Sequence, residues 1–461
     1  MPTENINAYP RPFTAWWALS LIFVAAIISY SDRQVLSLLA EPLRRDLGIG
    51  DVGLSLLMGP AFAFIYAIAG IPLGILADRT SRRNLIVVGM VLWSVATVYC
   101  GCARSFGQLF VGRVAVGLGE AVLSPAAVSL IGDFFPTRRR GTALGIYFTG
   151  ITLGFGCAVI IGGAMLSATD SGLLSNTPLA SLPPWRSVLI LIGLPGIVWS
   201  LLMMTFREPP RRDVYEAYRT IGDSSASSEI DVATRRKTAP AAGRVNAKQI
   251  FLKNIRLVPL FVTVAMASLV ENAIASWSPS LLMRNFHREA AQVGITLGIV
   301  FMSGGSAGML CGGWLSDQAQ RRWGLAGRLR LCLAAACLGV ATVMMINSSR
   351  MTIVVAVILV AVIASALITS SGLAAILDSV PNHRRGTATS ISFFLNVAVG
   401  LGIGPTAVAL LDRFAFSDRM DLTPALLLVG ALGYAIAAGG AWVTIALLRD
   451  SGEAISVREG A

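Results

Sequence analysis

Twelve apolar runs, each long enough to cross a bilayer as a helix, constrain this chain more than any other feature of its sequence. They lie near 14–40, 51–77, 84–103, 106–132, 141–168 and 187–206, and again near 252–282, 291–316, 328–347, 351–377, 386–411 and 422–448. A hydrocarbon core about 30 Å thick is spanned by roughly 20 residues rising about 1.5 Å each. Soluble domains carry about 25% charged residues, whereas this chain of 461 residues has 13%, with a mean hydropathy of +0.70. So few charges cannot clothe a water-facing surface of that size, and the bilayer must be the main solvent. The first run is too long for a signal-peptide core and no small-residue cleavage site follows it, so it reads as the first spanning helix.

Between the two sets of six lies 207–251, with Pro209-Pro210, the run Ser224-Ser225-Ala226-Ser227-Ser228 and a cluster of basic residues. That composition predicts a cytoplasmic linker. The expected division is therefore an N-terminal bundle over 1–206, the linker over 207–251 and a C-terminal bundle with a short tail over 252–461. The net charge of +12 would suit a nucleic-acid partner, but its distribution explains it otherwise. With the N-terminus cytoplasmic, 26 of the 37 basic residues fall in cytoplasmic loops, the linker or the tail. That bias predicts both termini in the cytoplasm and leaves no role for DNA or RNA.

The chain also repeats itself. The segment Asp133-Phe-Phe-Pro136-Thr-Arg138-Arg139-Arg140-Gly141-Thr142-Ala143 returns as Asp378-Ser-Val-Pro381-Asn-His-Arg-Arg385-Gly386-Thr387-Ala388, at an offset of 245. Gly74-Ile-Leu-Ala-Asp78-Arg79-Thr-Ser-Arg82-Arg83 returns as Gly313-Trp-Leu-Ser-Asp317-Gln-Ala-Gln-Arg321-Arg322, at an offset of 239. Both pairs fall at expected cytoplasmic loops. Two homologous six-helix halves place a substrate path at their interface near mid-membrane.

These segments resemble the major facilitator superfamily. Gly74–Arg83 looks like its loop 2–3 signature, Gly313–Arg322 like the degenerate copy in loop 8–9, and Arg113-Val-Ala-Val-Gly117-Leu-Gly119 like its fourth-helix motif. The resemblance implies an all-α membrane protein of twelve transmembrane helices in two pseudo-symmetric bundles. Asp32-Arg33 in span one, with Gly117-Leu-Gly119-Glu120-Ala121 and Ser124-Pro125 in span four, is similar to the spinster-like branch. That branch is linked to sphingolipid and lysophospholipid transport, and its bacterial members imply an inner-membrane location. Cys157 stands where drug antiporters of the superfamily usually have proline.

Five ionisable residues fall within spans: Asp32, Arg33, Arg113, Glu120 and Glu271. A lone charge at the bilayer centre costs about 2.5–3.5 kcal/mol on insertion scales, so such residues pair or face a wet cavity. Asp32 lies roughly 12 Å from the outer end of its span and Arg113 roughly 11 Å from the outer end of its own, which puts them at similar depth. Glu120 is two turns deeper on the face that carries Arg113. The expectation is a proton switch in which ionised Asp32 pairs with Arg113 or Arg33, and protonation loosens the pair. The resemblance implies the same coupling role for Asp32, Arg33, Arg113 and Glu120, with Glu120 lining the cavity. The repeat carries Asp32 onto Glu271 and Arg33 onto Asn272, and leaves nothing ionisable opposite Arg113 or Glu120.

The loop signatures read as a cytoplasmic gate. Asp78 is expected to accept from helix amides or from Arg138–Arg140, and Arg79, Arg82 and Arg83 to pair with acids such as Asp133. Their C-terminal counterparts are Asp317, Arg321 and Asp378. The expected cavity lining includes Tyr30, Glu120, Glu271, Asn272, Trp277, Phe301 and Asn396. Polar groups beside large apolar ones suit an amphipathic cargo, lysophospholipid-like, sphingolipid-like or a hydrophobic drug.

None of the three lysines follows a glycine, which removes the phosphate-cradling loop of an ATP-driven pump. The six cysteines and two histidines have no metal-ligand spacing, so no metal, cofactor or enzymatic chemistry is expected. The sequence thus predicts a monomeric, proton-driven secondary transporter among membrane lipids, exporting an amphipathic small molecule. The alternatives are proton symport of small organic anions and a non-transporting sensor on the same fold.

Overall fold

The protein is described by a computed structural model covering residues 9–172, 177–211, 257–380, 385–416 and 421–450. Most of the expected linker and the tail from 451 lie outside the described residues, as do the side chains of Thr137 and Arg138. The N-terminal half consists of α1 (Pro12–Leu47), α2 (Asp51–Arg79), α3 (Arg82–Cys102), α4 (Phe106–Phe134), α5 (Thr137–Asp170) and α6 (Pro184–Met203). The C-terminal half opens with α7 (Leu257–Phe286) and a 54-residue helical stretch, Ala290–Val343. Gly324 breaks that stretch with φ 61° and ψ −154°, a backbone conformation that only glycine adopts without strain. The stretch is therefore two spans, α8 (290–323) and α9 (325–343). The half closes with α10 (Met351–Asp378), α11 (Arg385–Ala415) and α12 (Thr423–Asp450), giving twelve transmembrane helices.

Three helices are interrupted at membrane depth. Gly59, with φ −110° and ψ −89°, separates Asp51–Met58 from Pro60–Arg79 in α2. Ala121 and Val122 interrupt α4, and Asn396–Leu401 forms a π-helical turn in α11. Irregular backbone at this depth survives only where protein or a wet cavity covers it. Here the α2 break and the α11 turn cover each other: a Cβ on Gly59 would lie 2.6 Å from the Leu401 carbonyl oxygen.

The start of α1 and the α2–α3, α4–α5 and α8–α9 connections share one side of the molecule, the basic face. The halves part toward it and meet toward the opposite face. The meeting is closest along α5 and α8. A Cβ on Gly163 would lie 2.6 Å from the Ala290 carbonyl oxygen, and one on Gly294 2.4 Å from that of Val159. Small residues let the two main chains touch, the usual device where lipid removes any hydrophobic drive to associate. Nearer the basic face, neither Gly145 on α5 nor Gly313 on α8 has anything within 4 Å of such a Cβ. The two helices are therefore apart at these glycines toward the basic face and joined toward the opposite one.

Candidate functional site

At the apex of that opening, α1 and α4 bring four buried charges together. The guanidinium of Arg33 donates to Glu120 Oε2 at 2.9 Å, and Ser29 Oγ donates to the same oxygen at 2.8 Å. The guanidinium carbon of Arg33 sits 4.4 Å from the ring centres of Tyr30 and Phe62 and 4.8 Å from that of Tyr66, a box of three rings. Arg113 works differently. Its Nε donates to the Leu57 carbonyl at 3.2 Å, Nη1 to the Asp32 carbonyl at 3.4 Å and Nη2 to the Arg33 carbonyl at 3.5 Å. Leu57 lies in the last turn before the Gly59 break, where carbonyls have no partner along the helix. Asp32 Oδ2 accepts from Thr97 Oγ1 of α3 at 3.3 Å, and Oδ1 has no hydrogen-bond partner among the described residues.

The expected Asp32–Arg113 ion pair is therefore replaced by Arg33–Glu120. Neighbouring residues on a helix diverge by about 100°, so Asp32 faces α3 while Arg33 faces α2 and α4. Arg113 is still next to Asp32, but it serves the main chain of α1 and α2.

In the other half, Gln34 Nε2 of α1 donates to the Ala275 carbonyl of α7 at 3.1 Å, which closes the apex. Glu271 lies one turn nearer the basic face on α7, with no ion pair among the described residues. Asn272 Nδ2 donates to the Ser268 carbonyl at 2.9 Å, and Ser268 Oγ to the Asn396 carbonyl of the π-helical turn at 3.2 Å. Two expected lining residues sit elsewhere. Trp277 is fully buried and donates to the Pro405 carbonyl at 2.9 Å, so it fixes α7 to α11. Phe301 is buried edge-on against Phe155, with ring centres 4.8 Å apart, inside the α5–α8 seal.

On the basic face the charges form two networks, one per half. Buried Arg82 pairs with Asp133 and with Glu208, the latter at 2.8 Å, and donates to Ser129 Oγ at 2.9 Å. Arg83 donates to the Phe206 carbonyl at 2.9 Å. Partial burial works to raise the Glu208 carboxyl, but hydrogen bonds from Ser81 and Arg82 and the charge of Arg82 outweigh it and hold it below the ordinary range. Arg211 caps the end of α2 by donating to the carbonyls of Ala77, Asp78 and Thr80. Asp78 and Arg79 are exposed. In the C-terminal half the partner of Asp317 (3.2 Å) and Asp378 (3.1 Å) is Arg328, not Arg321. Arg82 and Arg328 are 246 apart, so the α8–α9 connection holds seven more residues than its counterpart, which misaligns Arg321 with Arg82. Among the described residues no ion pair joins the halves on this face.

Such a joint exists on the opposite face and was not expected from the sequence. Arg284, at the end of α7, donates Nη1 and Nη2 to the two oxygens of Asp51 at 2.8 and 2.7 Å, and Nε to Glu41 Oε1 at 2.5 Å. All three side chains are under 10% exposed. Glu208, Arg211 and Thr97 were equally unforeseen. Charges at helix ends look topogenic in a sequence, and a lone threonine in an apolar span carries no signal.

Comparison with known proteins agrees with this architecture. An efflux pump of Mycolicibacterium smegmatis, described as MFS-type, is 26% identical over 443 residues, covering 92% of this chain and 93% of its own. The hexuronate transporter of Bacillus subtilis is 25% identical over 421 residues, covering 89% and 90%. A crystal structure of a bacterial homologue of the human lysosomal transporter Spinster, in an inward-facing and occupied conformation, superposes with a TM-score of 0.73 at 23% identity over 97% of this chain and 98% of that one. The family model of the Major Facilitator Superfamily matches residues 22–405, and the chain belongs to that superfamily as a multi-pass membrane transporter rather than an enzyme.

Proposed function

We propose that this transporter is a proton-coupled secondary carrier, working by alternating access, whose cargo is an amphipathic organic acid. The observation that carries the reading is the buried Arg33–Glu120 pair inside its box of rings, where the halves begin to part toward the basic face. The rings hold the flat faces of the guanidinium and leave its donor edge for one carboxylate or phosphate at a time. Glu120 and the acidic head of a cargo compete for that edge. A proton on Glu120 removes the competitor, so proton and acid bind with mutual reinforcement. Positive linkage of that kind is the condition for moving both in one direction. The apolar remainder of the cargo packs on Tyr30, Phe62 and Tyr66.

Release follows when the seal on the opposite face opens and the basic face shuts. Exposed Asp78 is then the acid available to lock the basic face. The excess of arginine there supports a cytoplasmic assignment for this face and both termini, in a bacterial inner membrane, with the protein acting as a monomer. A second reading is export of a lysophospholipid-like, sphingolipid-like or drug-like amphipath in exchange for protons. The long match to an efflux pump favours it.

The test uses proteoliposomes with an internal pH dye, challenged in turn with organic acids, lysophospholipids and hydrophobic drugs. The first reading expects an acid to enter with protons and Arg33→Gln to abolish both fluxes. Cargo moving against protons, or an acid flux indifferent to Arg33→Gln, would refute it and leave the second.

A further inference from the structure

The two membrane acids differ in what they are bonded to, and the difference bears on which of them trades protons. Glu120 is held by a guanidinium, which can only donate. A proton on Glu120 would therefore sit on Oε1, which has no hydrogen-bond partner among the described residues, and would remove the charge that holds Arg33. The Asp32 carboxylate makes no ion pair among the described residues. Its carboxylate partner is a hydroxyl, Thr97 Oγ1 at 3.3 Å, and that same oxygen lies 3.0 Å from the Trp93 carbonyl one turn back along α3. A hydroxyl has one hydrogen to give and lone pairs to receive with.

We propose that Thr97 is a positioning residue for proton exchange at Asp32, because its hydroxyl can pair with that carboxyl group in either protonation state, more strongly with the ionised one. With Asp32 ionised, the Thr97 hydrogen points to Oδ2. When Asp32 takes a proton, the new O–H donates to Thr97 Oγ1, and the Thr97 hydrogen swings to the Trp93 carbonyl. One proton is gained, the Thr97–Asp32 hydrogen bond reverses its direction, and neither arrangement leaves Oδ2 or the hydroxyl unpaired. Asp32 thus exchanges protons with a partner ready for either state, whereas a proton on Glu120 finds no acceptor on Oε1 among the described residues and weakens the hold on Arg33. Besides Thr97, the titratable and charged groups facing Asp32 are Arg113 and Glu120 from α4 and Cys100 from α3. None of these offers a hydroxyl. The β-branched threonine has few rotamers open to it inside a helix, which keeps Oγ1 within reach of both acceptors.

The inference rests on the proton-coupled reading above, and its test needs no cargo. Protein reconstituted in phosphatidylcholine vesicles is titrated while the infrared band of the protonated Asp32 carboxyl, identified by its loss in Asp32→Asn, is followed. The wild type gives a reversible titration. Thr97→Val, which keeps the shape, moves its midpoint by about half to one pH unit, the worth of one hydrogen bond. Thr97→Ser restores it. Thr97→Ala repeats the measurement if the valine variant does not assemble. An unmoved midpoint in both hydroxyl-free variants, or a serine variant that behaves like valine, overturns the role of Thr97. A wild type with no titrating Asp32 band overturns proton exchange at Asp32 itself.

Discussion

Arg284 is the residue whose removal tests the proposed working cycle most directly. It is the only described side chain whose ion pairs cross between the halves, and three charge-assisted hydrogen bonds of 2.5–2.8 Å converge on it. Each such bond contributes about 1.5–3 kcal/mol. The larger effect of Arg284→Gln is to strand Asp51 without its cation inside the seal, and to leave Glu41 with only Arg44, at 3.7 Å. Removing one partner of a buried pair costs about 3–5 kcal/mol. In the state open on the opposite face water solvates both acids, so the penalty falls on the sealed state alone. A bias of about 3 kcal/mol is a shift of roughly 150-fold between the two states. That is enough to invert a carrier that spends about 95% of its time sealed on that face. The assay is a spin-label distance measurement between Arg104→Cys and Arg350→Cys, exposed positions on the opposite-face loops of the two halves, in a background without the six native cysteines. Arg284→Gln is expected to replace the short-distance population with a long one. The charge swap Arg284→Asp with Asp51→Arg is expected to recover part of the short one. A distance distribution identical to that of the parent would show that the glycine seam alone holds the face shut and would refute the argument.

Two further predictions concern the basic face. Arg328→Ala and, in the other half, Arg82→Ala are each expected to lower the thermal midpoint of the detergent-solubilised protein by several degrees, while Arg321→Ala leaves it unchanged; equal effects at Arg321 and Arg328 would mean that the register shift in the α8–α9 connection is misread. Glu208 has a folded-state carboxyl held low, so its contribution to stability is present above the ordinary carboxylate range of about 4.3 and is lost as pH falls through the lower folded value. Glu208→Gln should flatten the acid side of a stability-versus-pH curve, and an unchanged acid limb would exclude the network around Arg82 as its source.

Much of the architecture is legible in the sequence because bilayer thickness leaves a helix few choices of length, and because the duplicated loops mark where the halves begin to repeat. The cluster was legible as a set of residues, since charges in apolar runs stand out. Its pairing was not. Whether Glu120 meets Arg113 or Arg33 depends on the 100° step between Asp32 and Arg33 and on a kink at Gly59 that frees the Leu57 carbonyl. Neither is visible in a string of letters. Trp277 and Phe301 failed as lining residues for a related reason: an aromatic in a span gives no sign of which neighbour it faces. Arg328 was hidden by an insertion that the shorter repeat could not reveal.

The main-chain contact between α5 and α8 also has a consequence for energy conservation. A joint lined by side chains keeps crevices that water can thread, and a file of water conducts protons. Where Gly163 and Gly294 let one helix rest its carbonyls on the other, the seam leaves no room for a side chain, and hence for a crevice of that kind, at those two contacts. A membrane that stores its energy as a proton difference needs such crevices closed in every copy of every carrier, whether or not cargo is aboard.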